Sequence, residues 1–250
     1  MFSAICFAAL CASPLIVFAA EPGSKVVAFS ASVRVDVDAV GKPVKIEAPG
    51  DLPEAIREYI EKRVATWQYE PARLGKVAVP ATTYVAINAC AVPVEDGYRM
   101  GLDFAGNGMR SAGDRPINSP RYPVQAEMHG IEAEFVVILD VAADGAARLG
   151  TIEKATVARR GRRVEFEQEL RRWAMSLRFD PELVSGQPVS GQLRVPVNFS
   201  LKNYANVQAL TDDFQAKAKD SPECQVAAGA DAIKPVAMDS VIRVIPSPAG

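Results

Sequence analysis

The chain has 250 residues, of which 49% are hydrophobic and 23% are charged, and its formal net charge at pH 7 is -2. This is an ordinary globular balance, and the length suffices for two small domains that each bury a modest core. A net charge so close to zero gives no strong overall field that would gather nucleic acid or an anionic membrane. We therefore expect no nucleic-acid partner.

Residues 1–20 carry no charged side chain and are dominated by apolar residues. Because Val17-Phe18-Ala19 fits the small-residue rule for cleavage, we predict a signal peptide that is cut after Ala19 or Ala20. The alternative is an uncleaved inner-membrane anchor, since the stretch just reaches the roughly 20 residues that span a bilayer. The favoured interpretation places the protein in the periplasm.

The first half of the chain predicts a hairpin, a helix and further strands. Residues 33–46 alternate between apolar and polar side chains around a turn at Gly41, which favours a hairpin. Asp51 and Glu54 then have the spacing of a helix capping box. Alternation over 77–87 predicts a third strand, and 98–104 adds a fourth. The apolar stripe of the helix comprises Leu52, Ile56, Tyr59, Ile60, Val64 and Trp67.

The second half repeats this order of patterns. Residues 135–141 alternate as a strand, Asp144-Gly145 is a strong hairpin signal, and a weaker strand covers 149–155. A long alternating strand closes the half at 189–201. Between them lies a helical stripe made of Phe166, Leu170, Trp173, Ala174 and Leu177.

The two halves can be aligned, which indicates an internal repeat. Each has an aspartate and a glycine at identical spacing in its first hairpin, and each ends its helix with a similar motif before a proline and a later glycine. The matched residues are Asp36 with Asp140, Gly41 with Gly145, Trp67–Pro71 with Leu177–Pro181, and Gly75 with Gly186.

The repeat predicts an α+β fold of two tandem β-β-α-β units, each a small antiparallel sheet packed on one helix. The Gly-, Asn-, Ser- and Pro-rich stretch between the halves is typical of a linker. The predicted organisation is a signal peptide at 1–20, a first domain at 25–104, a linker at 105–117, a second domain at 118–203 and a tail at 204–250.

Several short motifs over residues 118–202 occur in a familiar order. They are Pro120-Arg121-Tyr122-Pro123, Ala126, Gly130-Ile131, the helix end at 177–181 and the closing strand at 195–201. This ordered set resembles the TonB C-terminal domain family, and residues 25–104 resemble it more weakly. The resemblance implies a domain that crosses the periplasm and captures a short segment of an outer-membrane receptor by strand addition.

The resemblance also implies features that this chain lacks. An energy transducer of the family has an N-terminal membrane helix with a functional histidine and a long proline-rich spacer, whereas the one histidine here is His129. We therefore expect a stand-alone periplasmic binding module, with outer-membrane receptors of TonB-dependent transport or other envelope proteins as partners. The residues do not favour coupling to a motor complex. The alternatives are an anchored transducer, if the N-terminal segment is retained, and a periplasmic enzyme of unknown chemistry.

We predict that the partner binds along the strand that closes the second half. This strand can remain at a sheet edge, where backbone N–H and C=O groups are unpaired, and Pro196 favours an edge position. The alternative is an edge covered by the tail or by a second copy in a homodimer. The inward residues are Val195, Val197 and Phe199, and the outward ones are Gln192, Arg194 and Asn198.

Other chemistry is sparse. After signal cleavage only Cys90 and Cys224 remain, so we predict a disulfide between them, with two separate buried thiols as the alternative. We expect no catalytic, cofactor or metal site, because His129 is the single imidazole and zinc needs about four ligands. In the tail, 207–218 could form a short helix, and the apolar residues of 241–245 could pair with a sheet.

Overall fold

The computed structural model describes residues 27–94, 97–114, 117–158, 162–201 and 236–246. Within these ranges the strands are β1 Val27–Val37, β2 Pro43–Glu47, β3 Gln68–Glu70, β4 Ala72–Leu74, β5 Val77–Val79, β6 Ala81–Val94, β7 Gly97–Gly108, β8 Arg110–Ser111, β9 Ala133–Val141, β10 Ala147–Val157, β11 Phe179–Asp180, β12 Leu183–Val184, β13 Gln187–Pro188, β14 Gly191–Phe199, β15 Val236–Ala237 and β16 Arg243–Ile245. The helices are α1 Glu54–Val64, α2 Val124–Met128 and α3 Arg163–Ser176. The described fold is therefore mostly antiparallel sheet with few helices.

The N-terminal half is built on one six-stranded sheet. Its strand order is β13-β12-β6-β1-β2, and β7 pairs with β6 on the same side as β12. Alternation along β1 places Val33, Val35 and Val37 in the core, where they meet Ile60 and Val64 from α1. The apolar face of the sheet is therefore covered by the apolar stripe of the helix, as the periodicity predicts.

The C-terminal half has a four-stranded sheet in the order β10-β9-β14-β15. Helix α3 buries Phe166, Leu170, Trp173 and Ala174 against it. The ring of Phe166 lies 4.8 Å from that of Phe199 on β14, centroid to centroid. This packing fixes the inner face of β14 and leaves its outer edge as the part available for other contacts.

Each half contains a hairpin turn that lies directly on the backbone following its helix. Gly41 and Gly145 have positive φ angles of 86° and 81°. A Cβ at Gly41 would lie 2.3 Å from the carbonyl oxygen of Tyr69, and a Cβ at Gly145 would lie 2.1 Å from that of Phe179. Glycine is required at both turns because no side chain fits there.

The two halves are also connected by short strands that pair across them. Strand β12 of the C-terminal half pairs with the start of β6, and β11 pairs with β8. Strand β15 pairs with β14, whereas β16 pairs with β3, and Ile242 and Val244 are buried in the N-terminal core. The C-terminal segment 236–246 therefore connects the four-stranded sheet with the N-terminal core.

Three expectations require correction or extension. Asp51 does not cap α1, because the N-cap residue is Pro53 and no side chain caps this helix end. The linker boundary expected at residue 105 falls inside β7, which continues to Gly108, because the backbone of this glycine-rich stretch stays paired with β6. In the tail, the apolar residues of 241–245 do pair with a strand, since β16 pairs with β3.

Several expectations concern residues that lie outside the described ranges. These are the signal peptide at 1–20, the tail helix at 207–218 and Cys224. They stay predictions.

Candidate protein-binding edge

Strand β14 has one fully paired side and one partly paired side. Its nine residues from Gly191 to Phe199 pair in register with β9. On the opposite side β15 pairs only with Leu193 and Arg194. In the described part of the chain no strand lies beyond residues 195–199 on that side, so among the described strands this stretch is a sheet edge.

The direction of the backbone groups along this edge follows from Gln192. Its N–H donates to the Asp239 carboxylate at 2.8 Å, and its carbonyl oxygen accepts from the Met238 N–H at 3.0 Å. Because backbone groups alternate along an antiparallel strand, those of Pro196 and Asn198 point the same way as those of Gln192. Pro196, which has no N–H, therefore loses no hydrogen bond to β9. On the side away from β9, the edge presents the carbonyl of Pro196 and the N–H and C=O groups of Asn198.

The side chains of β14 alternate as predicted. Val195, Val197 and Phe199 are buried, with exposed fractions of 0%, 2% and 2%. The outward residues Gln192, Arg194, Pro196 and Asn198 are exposed. The inward set holds the strand in place, so the outward residues and the edge are left for contact with a partner.

Two outward charges near the start of the edge, those of Arg194 and Asp140, are paired within the sheet. Arg194 Nε lies 2.7 Å from an oxygen of Glu153, on β10. Asp140 accepts from Gln192 Nε2 at 2.9 Å and from Arg148 Nε at 3.3 Å. The side chains beside residues 192–194 are therefore bonded to one another, and the unpaired groups along 195–199 belong to the main chain.

The contact between the tail and β14 includes a close approach of two backbones. A Cβ at Gly108, the last residue of β7, would lie 2.3 Å from the Cβ of Ala237. A Cβ at Gly191 would lie 2.9 Å from Asp239 Oδ1. Strand β15 therefore lies close to the start of β14 and the end of β7, and at Gly108 a side chain would collide with Ala237.

Downstream of β15 the tail is held by a buried carboxylate. Glu182, 3% exposed, accepts hydrogen bonds from Thr83 Oγ1 at 2.5 Å, Ser240 Oγ at 2.7 Å and the Val241 N–H at 3.0 Å. Burial raises the pKa of Glu182 above 4.5, against the opposing effect of these donors and with a smaller contribution from Asp239. The carboxylate joins the N-terminal sheet, the C-terminal half and the tail at one point.

Sequence reasoning identified the strand but missed the residues that cover it. No sequence pattern marks Met238, Asp239 or Glu182. Alternation of apolar and polar residues needs several positions, and β15 has only two residues. The one usable signal was the Gly191 that opens the strand, since an isolated glycine in a strand can mark a close backbone approach.

Cys90 and His129 are two further residues that stand out in the sequence. Cys90 is 1% exposed and disulfide-bonded, and because Cys224 is not described, their pairing stays a prediction. His129 lies at the end of α2, where its Nδ1 is 2.7 Å from the Gln125 carbonyl oxygen.

Among the described ranges we find no cluster of three or more potential metal ligands. Those ranges also contain no helix with the length and apolar character needed to span a membrane.

Comparisons with known proteins concern the half that carries this edge. Residues 118–201 match the family model described as Gram-negative bacterial TonB protein C-terminal. Two proteins named Protein TonB, from Xanthomonas campestris pv. campestris strains B100 and ATCC 33913, are each 35% identical over 85 residues. That alignment covers 34% of this chain and 36% of each relative, so the chain spans about a third of their length. No solved structure matches the chain. The matched region contains β9, β10, α3 and β14, so the candidate edge lies in the part that is similar to TonB.

Proposed function

We propose that the protein is a TonB-like envelope module in the periplasm, which binds extended segments of other envelope proteins along the outer edge of β14. Outer-membrane receptors of TonB-dependent transport are the partners that the similarity favours. The proposed activity is binding, with no catalytic step.

One observation carries this proposal. A distant segment of the same chain, β15, already lies on this edge as an added antiparallel strand. The edge therefore has the geometry that strand addition needs, and residues 195–199 extend it beyond the two residues that β15 covers.

We further propose that the N-terminal half is a second TonB-like unit. Equivalent contacts support this: Asp36 accepts from Thr82 Oγ1 at 2.7 Å, as Asp140 accepts from the Gln192 side chain at 2.9 Å. The glycine turns at Gly41 and Gly145 approach Tyr69 and Phe179, residues that the sequence alignment pairs.

The two proposed units differ at the edge. In the first, the strand equivalent to β14 is β6, and its outer side is filled by β7 from Tyr84 to Val94 and by β12 before that. In the second, only Leu193 and Arg194 are covered by a described strand. We therefore assign partner binding to the second unit and a supporting role to the first.

The test is titration of the full chain with labelled peptides from the periplasmic segments of outer-membrane receptors. Asn198→Pro removes the N–H that faces the edge and keeps the bonds to β9, so it should weaken binding by roughly five- to tenfold. Asn198→Ala is the matched control, which loses the side chain but keeps the N–H, and its affinity should stay within about twofold of the wild type, as expected for a main-chain contact.

Equal affinities for the wild type and both Asn198 variants would refute the assignment to this edge. Affinity capture with the same three proteins from envelope extract, followed by identification of the bound chains, then tests whether receptors are the partners. Recovery of receptors by the wild type and Asn198→Ala, with loss in Asn198→Pro, is the expected result.

A further inference from the structure

We infer that Val236–Asp239 is an internal ligand at the start of the β14 edge. An external strand that extends over residues 192–194 must displace this segment, and it shares the sequence pattern of the segment. This inference rests on the proposed function, because it specifies the regulation and the ligand chemistry of the same site. The segment is called the latch below.

The latch contacts β14 through the kinds of bond that an added peptide strand would make. It pairs in antiparallel register with Leu193 and Arg194. Its Met238 N–H donates to the Gln192 carbonyl, and its Asp239 carboxylate accepts from the Gln192 N–H. Both edge-facing groups of Gln192 are thus satisfied by the latch, and a second strand cannot use them at the same time.

The latch is held less firmly than the segment that follows it. Met238 is 51% exposed, whereas Ile242 is 1% exposed and Val244 is 8% exposed within the N-terminal core. The segment after the latch also pairs with β3, and Asn107 Nδ2 donates to the Ile242 carbonyl at 2.8 Å. Segments with few buried contacts open locally at low free energy. The latch can therefore leave β14 while residues 240–246, called the anchor below, stay in place.

The anchor also sets the strength of the competition. Because Ser240 and Val241 are fixed to Glu182, the latch is tethered within a few residues of its site. Such tethering gives an effective concentration in the millimolar range for a short link. A free peptide must therefore compete for β14 with the latch, which the covalent link keeps close to the strand.

The latch sequence indicates what the edge accepts. The position opposite Leu193 is Ala237, whose Cβ lies against the backbone of Gly108. Two residues later a carboxylate caps the Gln192 N–H. The expected ligand is an extended strand with a small residue followed, two positions on, by an aspartate.

The test needs no identified partner, because the latch itself supplies the probe. We would titrate a labelled synthetic peptide of residues 234–240 against the full chain and two variants. Met238→Pro removes the N–H that donates to Gln192, whereas Met238→Ala truncates the side chain and keeps that N–H. The peptide should bind Met238→Pro roughly tenfold more tightly than the wild type or Met238→Ala, because the latch of this variant has lost one hydrogen bond to β14 and competes less strongly.

Two changes in the peptide test its pattern. Replacing the alanine by leucine, or the aspartate by alanine, should each weaken binding to Met238→Pro by at least roughly fivefold. If Met238→Pro loses its cooperative thermal transition, Asp239→Ala in the chain takes its place, because it removes the other bond between the latch and Gln192 without a proline.

The outcomes separate this inference from the proposed function. Equal peptide affinities for the opened variant, the wild type and Met238→Ala would overturn the latch, whatever receptor peptides do. Tight binding of the latch peptide to the opened variant with no binding of any receptor peptide would support the latch and refute the receptor partners. Loss of selectivity between the matched and altered peptides would overturn the inferred ligand pattern.

Discussion

Replacement of Gly145 by alanine should destabilise the protein through a backbone collision. Gly145 has a φ of 81°, and its new Cβ would lie 2.1 Å from the Phe179 carbonyl oxygen. The left-handed conformation alone costs about 1–2 kcal/mol for a residue with a side chain. Relief of the collision requires the hairpin to move away from the backbone at Phe179, whose N–H donates to the Gly145 carbonyl at 2.9 Å. Overpacking of this kind adds about 1–3 kcal/mol, so we expect a total near 3 kcal/mol.

Gly186→Ala is the matched control. Its φ is 78°, but nothing lies within 4 Å of the added Cβ, so only the conformational cost applies. Urea unfolding followed by tryptophan fluorescence gives the free energy of unfolding for each variant. Equal losses for Gly145→Ala and Gly186→Ala would refute the collision, and a loss in Gly41→Ala near that of Gly145→Ala would support the repeat.

Three further predictions concern covalent processing and pH. N-terminal sequencing of the envelope protein should begin at Ala20 or Glu21, and a retained Met1 in a membrane fraction would contradict signal cleavage. Thiol labelling of the unfolded, unreduced protein should find no free cysteine if Cys90 pairs with Cys224, and two reactive thiols would contradict that pairing. Because burial raises the pKa of Glu182 in the folded state, its contribution to stability should fall as pH rises from 4.5 through the raised value. Glu182→Gln should flatten this part of the profile of urea midpoint against pH.

The main strands and helices could be predicted because their burial repeats along the sequence. β14 alternates buried and exposed residues from Leu193 to Phe199, and α3 buries Phe166, Leu170 and Trp173 at helical spacing. The packing of a sheet on a helix imposes these periods, so the sequence carries them.

The connections between the halves could not be predicted in the same way. β12 and β15 have two residues each, which is too short for a period, and their partners lie in other parts of the chain. β7 continues through Gly106 and Gly108 at φ angles of 140° and 142°, where glycine composition suggested a linker. In each case backbone pairing with another strand, rather than burial of alternating side chains, determines the local structure.

The proposed difference between the outer edges of β6 and β14 leads to a final prediction that can be tested without a binding partner. Asn88 on β6 and Asn198 on β14 are equivalent in register, since Ser30 pairs with Asn88 as Glu134 pairs with Asn198. By strand alternation the Asn88 N–H faces β7, whereas the Asn198 N–H faces the open edge. Asn88→Pro should therefore cost about 1–3 kcal/mol more than Asn88→Ala, because a β7 carbonyl loses its donor. The same comparison at Asn198 should differ by less than about 1 kcal/mol, as expected for a proline at a sheet edge. Urea unfolding of the four variants measures both differences. A large loss in Asn198→Pro would mean that this N–H is already bonded within the protein, and that the edge proposed for partner binding is closed.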